Sequence, residues 1–187
     1  MGRARAELMT RKKSLTIIAV MVLILAVPAT AGKTMNAPDF TLANLKGKDV
    51  TLSDVLREGP VLLDFWATWC KPCVKAFPGL QDLYEKYGDR GLRVVTVSVD
   101  SPKSQARVAP LINSKRYTFE VLLDTQGRVA KRYNVMALPR TLLISPTGEI
   151  VYATVGNRPT SHKELEKAIL EILPEESDDG GGVVETG

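Results

Sequence analysis

Cysteine and histidine are scarce in this sequence. Its 187 residues include two cysteines, Cys70 and Cys73, and a single histidine, His162. A structural zinc site takes four cysteine, histidine or carboxylate ligands, so this supply argues against zinc, and we predict neither a metal nor a cofactor. A disulfide that closes so short a loop constrains the unfolded chain little. The pair is therefore poorly suited to a purely structural role.

An excess of basic charge is also missing from the body of the chain. The formal net charge is +4, but five of the 25 basic and one of the 21 acidic residues precede residue 32, which leaves 20 of each beyond that point. Proteins that bind nucleic acid normally show a basic patch or stripe, so we predict that no nucleic acid is bound. The composition, 44% hydrophobic and 25% charged, instead suits one ordinary globular core.

No apolar run is long enough to span a membrane without tilting. The longest covers residues 15–27, interrupted only by Thr16. As a helix it would reach roughly 20 Å, short of the hydrocarbon core of about 30 Å. Three basic residues precede it and Ala29, Thr30 and Ala31 follow it. This layout is typical of an export signal, so we predict that residues 1–31 are a signal peptide cleaved after Ala31.

Two other interpretations of this segment stay open. An uncleaved N-terminal helix would anchor the protein and would, like the signal peptide, leave the rest of the chain in the periplasm or another extracytoplasmic space. A hydrophobic N-terminal helix of a cytosolic protein would leave the basic flank and the small residues unexplained. No cysteine lies near the predicted cleavage point, which excludes attachment as a lipoprotein.

Residues 36–173 alternate between strand and helix patterns, and residues 175–187 form an acidic, glycine-rich tail that we expect to be disordered. The predicted elements are a hairpin in 39–52, a helix from Ser53, a buried strand at 60–66, a helix at 73–87 containing Pro78, a strand at 92–99, a helix at 104–116, a strand at 119–123, a short helix at 127–133, a hairpin of 141–144 and 149–155, and a helix at 161–173 that opens on a Ser161/Glu164 capping box. This order predicts a mixed sheet with helices on both faces.

The two cysteines lie in a specific sequence context. Residues 61–73 read Val-Leu-Leu-Asp-Phe-Trp-Ala-Thr-Trp-Cys-Lys-Pro-Cys, which resembles the active-site strand and turn of the thioredoxin superfamily. Pro78 matches the kinked helix of that family, and Leu138-Pro139 match its cis-proline loop. The hairpin before the active-site strand and the extra helix and strand between Ser101 and Leu123 resemble more particularly the exported TlpA/ResA-like thiol-disulfide oxidoreductases.

The resemblance covers roughly residues 36–173 and implies a thioredoxin-like fold with an N-terminal hairpin extension and a helix-strand insertion. At two positions the sequence differs from the pattern of this family, and both differences bear on which partner protein is recognised. Many TlpA-like sequences have glutamate where this chain has Ala76, and the residue after the cis-proline is commonly threonine where this chain has Arg140.

The dithiol chemistry follows from the positions of the two cysteines. A thiolate attacks a disulfide, and the start of a helix favours the thiolate through unpaired N–H groups and the helix dipole. We therefore predict Cys70 as the nucleophile and Cys73, one turn into the helix, as the resolving thiol of a redox-active disulfide. Pro72 holds the two sulfurs near bonding geometry, and the positive charges of Lys71 and Arg140 favour the thiolate if they lie close.

Further residues are predicted to act beside the dithiol. Asp64 is the one charged residue in 61–69, and a buried carboxyl with a raised pKa suits proton exchange with Cys73. Trp69, Leu138, Pro139 and Arg140 are the predicted substrate-binding residues, with the backbone at Leu138 pairing with an extended substrate. Trp66 is expected in the core, and His162 is expected to be exposed and to have no role.

We predict an exported, monomeric oxidoreductase that reduces disulfide-containing envelope proteins, with cytochrome c maturation as one role, and that a membrane electron donor re-reduces it. One alternative is a thiol peroxidase, although Leu63 and Ala67 occupy the Pro and Thr positions of the peroxidase pattern Pro-x-x-x-Thr-x-x-Cys. A second alternative is a Cu(I) carrier that binds metal through the two cysteines and a distant histidine.

Overall fold

The structure is a computed structural model that describes residues 35–156 and 159–174. Its strands are β1 (Thr41–Ala43), β2 (Asp49–Thr51), β3 (Val61–Trp66), β4 (Arg93–Ser98), β5 (Glu120–Leu123), β6 (Arg140–Ile144) and β7 (Ile150–Val155), and its α-helices are α1 (Leu52–Leu56), α2 (Lys71–Tyr87), α3 (Val108–Lys115), α4 (Arg128–Arg132) and α5 (Pro159–Ile172). The predicted signal peptide at 1–31 and the predicted tail at 175–187 lie outside the described residues. Within the described ranges, no helix is long and apolar enough to cross a membrane.

The main sheet has five strands in the order β5-β4-β3-β6-β7. The pairs β3/β4 and β4/β5 are parallel, whereas β6 and β7 join as antiparallel neighbours. Strand β3 lies at the centre and every one of its six residues is buried, as its apolar sequence predicts for a strand covered on both faces. The predicted mixed sheet and thioredoxin-like architecture are confirmed.

Successive side chains of β3 point to opposite faces of the sheet, so they contribute to two separate hydrophobic clusters. Leu62 and Trp66 pack with α2, α3 and α5, while Leu63 and Phe65 pack with α1 and α4. The rings of Trp66 and Phe77 meet edge to face with centroids 4.7 Å apart, a contact that contributes about 0.5–1.5 kcal/mol beyond the burial of apolar area. Trp66 is thus a core residue, as predicted.

The N-terminal hairpin of β1 and β2 is joined to the body through its turn. The side chain of Asn44 accepts hydrogen bonds from the backbone N–H groups of Lys46 and Lys48, and Gly47 supplies the left-handed φ of +77° that the turn needs. Asn44 also forms an isolated bridge to Leu122 in β5. The hairpin therefore partly covers the edge of the main sheet.

Two predicted helices begin or end differently in the structure. The helix predicted over 104–116 is a 3-10 turn (Gln105–Arg107) followed by α3, and Pro110 is tolerated because it falls in the first turn of α3, where backbone N–H groups have no intrahelical partner. The predicted capping box at Ser161 is wrong, since α5 begins two residues earlier, at Pro159. Proline suits a first helical position because its φ is already helical and no N–H is required there.

Candidate active site

The two cysteines lie where the central strand β3 leads into α2. Cys70 is the N-cap of α2, so the helix begins two residues before the predicted start at Cys73, and Pro72 falls in its first turn. Cys70 and Cys73 form a disulfide, with Cα atoms 5.3 Å apart. The N–H of Cys73 donates to Sγ of Cys70 at 3.3 Å, a contact that can also stabilise a thiolate at Cys70.

The two sulfurs differ in their access to a partner. Cys70 is 6% exposed and lines an open groove on the surface, whereas Cys73 is 0% exposed. A thiol or disulfide on another protein can therefore reach Cys70 and cannot reach Cys73. The roles of Cys70 as nucleophile and Cys73 as resolving thiol stay predictions, which this asymmetry favours.

The groove beside Cys70 is large and mainly apolar. It encloses about 670 Å³. Its lining residues are Trp69, Cys70, Lys71, Pro72, Val99, Ala130, Val135, Met136, Ala137 and Leu138. Trp69 and Met136 are 62% and 87% exposed, which is unusual for side chains so apolar. Met136 was not predicted from the sequence, although a flexible apolar residue just before the predicted cis-proline loop is a recognisable signal.

The predicted cis peptide bond is present between Leu138 and Pro139. Leu138 lines the groove, while Pro139 lines a second, smaller cavity that also contains Asp64. The carbonyl of Pro139 accepts a hydrogen bond from the N–H of Gly156 at 2.8 Å, which ties the loop to the end of β7. The loop thus separates the open groove from the buried carboxyl.

Arg140 lies apart from the groove. It begins β6, pairs with Phe65 in β3 and is half-buried. Thr141, the next residue, points to the α2 side of the sheet, where its hydroxyl bonds to Asp64, so the alternation of the strand directs Arg140 to the opposite face. Arg140 is not among the described residues that line the groove beside Cys70. Its contact with substrate stays a prediction.

Asp64 is a buried carboxyl at the centre of the sheet. It is 2% exposed and shares its face of β3 with Leu62 and Trp66, the face covered by α2. The hydroxyl of Thr141 donates to Oδ1 at 2.6 Å, and Oδ2 has no hydrogen-bond partner among the described residues. Burial raises the pKa of Asp64 to about 7, although the Thr141 hydrogen bond acts to lower it. Such a carboxyl can both take and give a proton near neutral pH.

Asp100 fixes the turn that precedes the dithiol. Its carboxylate accepts from the N–H and the hydroxyl of Thr68, both at 2.7 Å, and from the hydroxyl of Ser98 at 3.0 Å. Burial acts to raise the pKa of Asp100, but these hydrogen bonds outweigh it and the pKa is lowered. Asp100 was not predicted from the sequence. Its position just beyond β4 was a usable signal, because β4 is parallel to β3 and both strands end at the same edge.

The expectation that His162 is exposed is wrong. His162 is half-buried in α5, and it lines the same small cavity as Asp64. Gly79 of α2 makes room for the imidazole: a Cβ atom at Gly79 would lie 2.7 Å from Cε1 of His162. The sequence could not reveal this contact, because it depends on how α5 packs against α2.

No three His, Cys, Asp or Glu side chains are grouped to hold a metal ion in the part of the chain that the structure describes. The two cysteines and His162 therefore do not form the ligand set that the Cu(I) carrier requires.

The sequence matches known proteins over most of the folded region. The model of the AhpC/TSA family matches residues 34–153. The thiol-disulfide oxidoreductase ResA of Geobacillus kaustophilus is 37% identical over 138 residues, which cover 74% of this chain and 76% of that relative. ResA of Bacillus subtilis is 39% identical over 121 residues, which cover 65% of this chain and 66% of the relative.

Solved structures show the same fold. A Chlorobium tepidum protein assigned as thiol:disulfide interchange protein DsbE matches with a TM-score of 0.69 at 35% identity, covering 76% of this chain and 99% of that one. StoA from Bacillus subtilis matches with a TM-score of 0.60 at 27% identity, covering 71% and 97%. The chain therefore belongs to the AhpC/TSA family, and it is a thiol-disulfide oxidoreductase related to ResA.

Proposed function

We propose that this protein is an exported protein-disulfide reductase in which Cys70 attacks the substrate and Cys73 releases it. The observation that carries the proposal is the unequal access of the two sulfurs at the start of α2: Cys70 lines the groove, and Cys73 is fully covered. An exchange reaction with a bulky protein disulfide must therefore begin at Cys70.

The reduced enzyme acts in two exchange steps. The Cys70 thiolate attacks one sulfur of the substrate disulfide, and the other substrate sulfur leaves as a thiolate that takes a proton from solvent. The Cys73 thiol then gives its proton to Asp64, and the Cys73 thiolate attacks Sγ of Cys70. The Cys70–Cys73 disulfide forms and the second substrate thiolate leaves. The substrate has gained two electrons and the enzyme has lost two.

The position and the raised pKa of Asp64 support its role as the proton acceptor of Cys73. It lies on the α2 side of β3, and Ala76, one turn after Cys73 on α2, lines the same cavity. Its pKa of about 7 means that neither protonation state is strongly favoured near neutral pH. Asp64 can therefore accept a proton from Cys73 in one half of the cycle and return it in the other.

We propose that the reaction runs toward reduction of substrates. Strong oxidants of this fold stabilise the reduced thiolate: the potential is about −120 mV for DsbA and about −270 mV for thioredoxin. Here the residues between the cysteines are Lys71, which is exposed and hydrated, and Pro72. The buried carboxyl of Asp64 opposes a nearby thiolate when it is ionised. We expect a potential more negative than about −200 mV.

The groove supports an extended polypeptide as substrate. Trp69, Met136 and Leu138 offer apolar contacts beside Cys70, and Lys71 is its one charged lining residue among those described. A segment with apolar residues next to its cysteine fits this surface, with its backbone pairing at the Leu138-Pro139 loop. Protein disulfides that must be reduced during cytochrome c maturation are the substrates implied by the TlpA/ResA resemblance.

We also propose that the protein works as a monomer outside the cytoplasm, where a membrane electron donor must supply its electrons. The expected N-terminus of the mature protein is Gly32. N-terminal sequencing of protein recovered from the native envelope tests this, and full-length protein that still begins near Met1 would favour the anchor.

Two experiments test the proposed reductase activity: trapping of mixed disulfides, and measurement of the reduction potential of the dithiol. In Cys73→Ala, mixed disulfides with envelope proteins should accumulate through Cys70, whereas the matched variant Cys70→Ala should trap few. Equilibration of the wild-type dithiol against glutathione should give a potential below about −200 mV. A potential near −120 mV with rapid oxidation of reduced, unfolded proteins would instead identify a disulfide-forming enzyme. Rapid consumption of hydrogen peroxide would favour the peroxidase.

A further inference from the structure

A small cavity lies behind the dithiol, between the sheet and the helices α2 and α5. It has a volume of about 20 Å³, enough for one water molecule. Its lining residues are Asp64, Ala76, Leu80, Pro139, Thr141, Thr154, Gly156, His162 and Leu165. Asp64, Thr154 and His162 carry polar groups that can serve as the two to four partners a buried water needs.

Asp64 needs a path for its proton. The carboxyl is buried, and with a pKa of about 7 it is partly protonated near neutral pH, so it must lose a proton to solvent before it can accept the proton of Cys73. Oδ1 is already bonded to the Thr141 hydroxyl, and Oδ2 has no partner among the described residues. The cavity is the space beside Asp64 in which Oδ2 can meet a water molecule.

His162 of α5 also lines this cavity. His162 as a residue is half-buried, so it is partly accessible to solvent while it lines the cavity. Gly79 allows the ring to lie against α2, and Ala76 of the same helix also lines the cavity. An imidazole ordinarily gains and loses a proton between about pH 5 and 8, the range in which Asp64 also titrates.

Other charged groups of the surrounding elements do not line the cavity. They are the exposed Lys71, Lys75, Asp82 and Glu85 on α2, the exposed Lys163, Glu164, Lys167 and Glu171 on α5, the pair of Lys86 and Glu166 between these helices, and Arg140 at the start of β6. Among the described residues, Asp64 and His162 are therefore the two acid–base side chains that line the cavity.

We propose that His162 is a positioning residue that passes the proton of Asp64 to and from solvent through a water molecule in this cavity. The inference rests on the proposed function, in which Asp64 takes the proton of Cys73. When Cys73 is deprotonated, Asp64 becomes protonated; it then gives that proton to the water, and the water passes a proton to the imidazole, which releases one to solvent. When Cys73 leaves as a thiolate during re-reduction, the same steps run in reverse.

The test separates the two exchange steps. Reduced full-length protein is mixed with dithiobis(nitrobenzoate) and the coloured thiolate is followed by stopped flow. Attack by Cys70 releases the first equivalent, and attack by Cys73 on the mixed disulfide releases the second. In His162→Gln the second phase should fall about tenfold near pH 7, less than the 10²-fold or more of a direct general base, with the first phase unchanged. The control Lys163→Gln, at an exposed neighbour, should match wild type.

A second variant moves the imidazole without removing it. In Gly79→Ala the new Cβ would require His162 to shift, so the second phase should slow in the same direction as in His162→Gln. Equal second phases in wild type, His162→Gln and Gly79→Ala across about pH 5 to 8 would overturn the proposal.

An NMR titration of Asp64 needs no protein substrate, so it measures the coupling between Asp64 and His162 independently of the reductase activity. In wild-type protein the ¹³C resonance of the Asp64 carboxyl should show a second inflection from the titration of His162, and His162→Gln should lose it while Lys163→Gln retains it. Absence of that inflection in wild type would refute the coupling even if protein disulfides are reduced. Failure to reduce protein disulfides, with the inflection present, would refute the reductase alone.

Discussion

The hydroxyl of Thr141 donates a 2.6 Å hydrogen bond to Oδ1 of Asp64, directly across the antiparallel pair of β3 and β6. This bond is the one described contact that acts to lower the pKa of Asp64 against the effect of burial. It also leaves Oδ2 as the oxygen available to a proton. The register of β3 and β6 thus places Thr141 opposite Asp64, and the resulting hydrogen bond makes the pKa of Asp64 lower than burial alone would.

Thr141→Val should raise the pKa of Asp64 above about 7. Valine keeps the shape of the side chain and removes the donor, so the carboxylate loses its hydrogen bond; the pKa should rise by about one unit. The measurement is a ¹³C titration of the carboxyl. Thr141→Ser retains the hydroxyl and serves as the control. An unchanged or lower pKa in Thr141→Val would contradict this account.

Asp64→Asn should change how stability depends on pH. The pKa of Asp64 in the folded protein, about 7, lies above its ordinary value of 3.8. The folded state therefore binds more protons than the unfolded state between these values, and stability falls as pH rises through that window. Wild type should lose up to about 4 kcal/mol relative to Asp64→Asn between pH 4 and pH 7.5.

Urea unfolding of the oxidised proteins at the two pH values measures this difference, and the exposed Asp82→Asn is the control. The same Asp64→Asn variant should slow release of the mixed disulfide, because the proton acceptor of Cys73 is gone. If the free energy of unfolding depends on pH in the same way in wild type and Asp64→Asn, the pKa of Asp64 is not raised in the folded protein.

Asp100→Asn should destabilise the turn before Cys70. An amide replaces one of the oxygens that accept from Thr68 and Ser98, so at least one donor loses its partner, at a cost of about 1–3 kcal/mol. The pKa of Asp100 is lowered in the folded protein, so this stabilisation is present above pH 4 and is lost as pH falls further. Urea unfolding near pH 7 measures the loss. A free energy of unfolding equal to that of the exposed-site control Asp89→Asn would contradict the prediction.

Trp69→Ala should weaken the binding of protein substrates without changing the chemistry of the dithiol. Trp69 is a large, exposed ring beside Cys70, and truncating such a residue at an interface costs more than about 1 kcal/mol when it is a true contact. The KM for a protein disulfide should rise about tenfold, with the rate of attack on dithiobis(nitrobenzoate) unchanged. Leu170→Ala, an exposed apolar residue of α5, is the matched control. A KM equal to that of wild type would remove Trp69 from the substrate surface.

The sequence by itself determined the elements that depend on local order. The apolar run of β3, the spacing of the apolar residues in α2 and the Cys70–Cys73 pair with Pro72 are consecutive or periodic in the chain. These patterns are read from neighbours a few residues apart, so they predicted the sheet, the helix and the nucleophile. The start of α5 was predicted wrongly from local sequence. The capping pattern at Ser161 indicated a start there, but the helix begins at Pro159, a residue that also suits a first helical position.

Only the tertiary structure decided what surrounds the dithiol. Asp100 reaches Thr68 across 32 residues, and Thr141 meets Asp64 across 77. His162 meets Gly79 because α5 packs on α2. No periodicity encodes these contacts: they require strand register and helix packing to bring distant side chains within hydrogen-bonding or van der Waals distance. The burial that moves the pKa of Asp64 to about 7 is likewise a property of the assembled core and not of the residue's own segment.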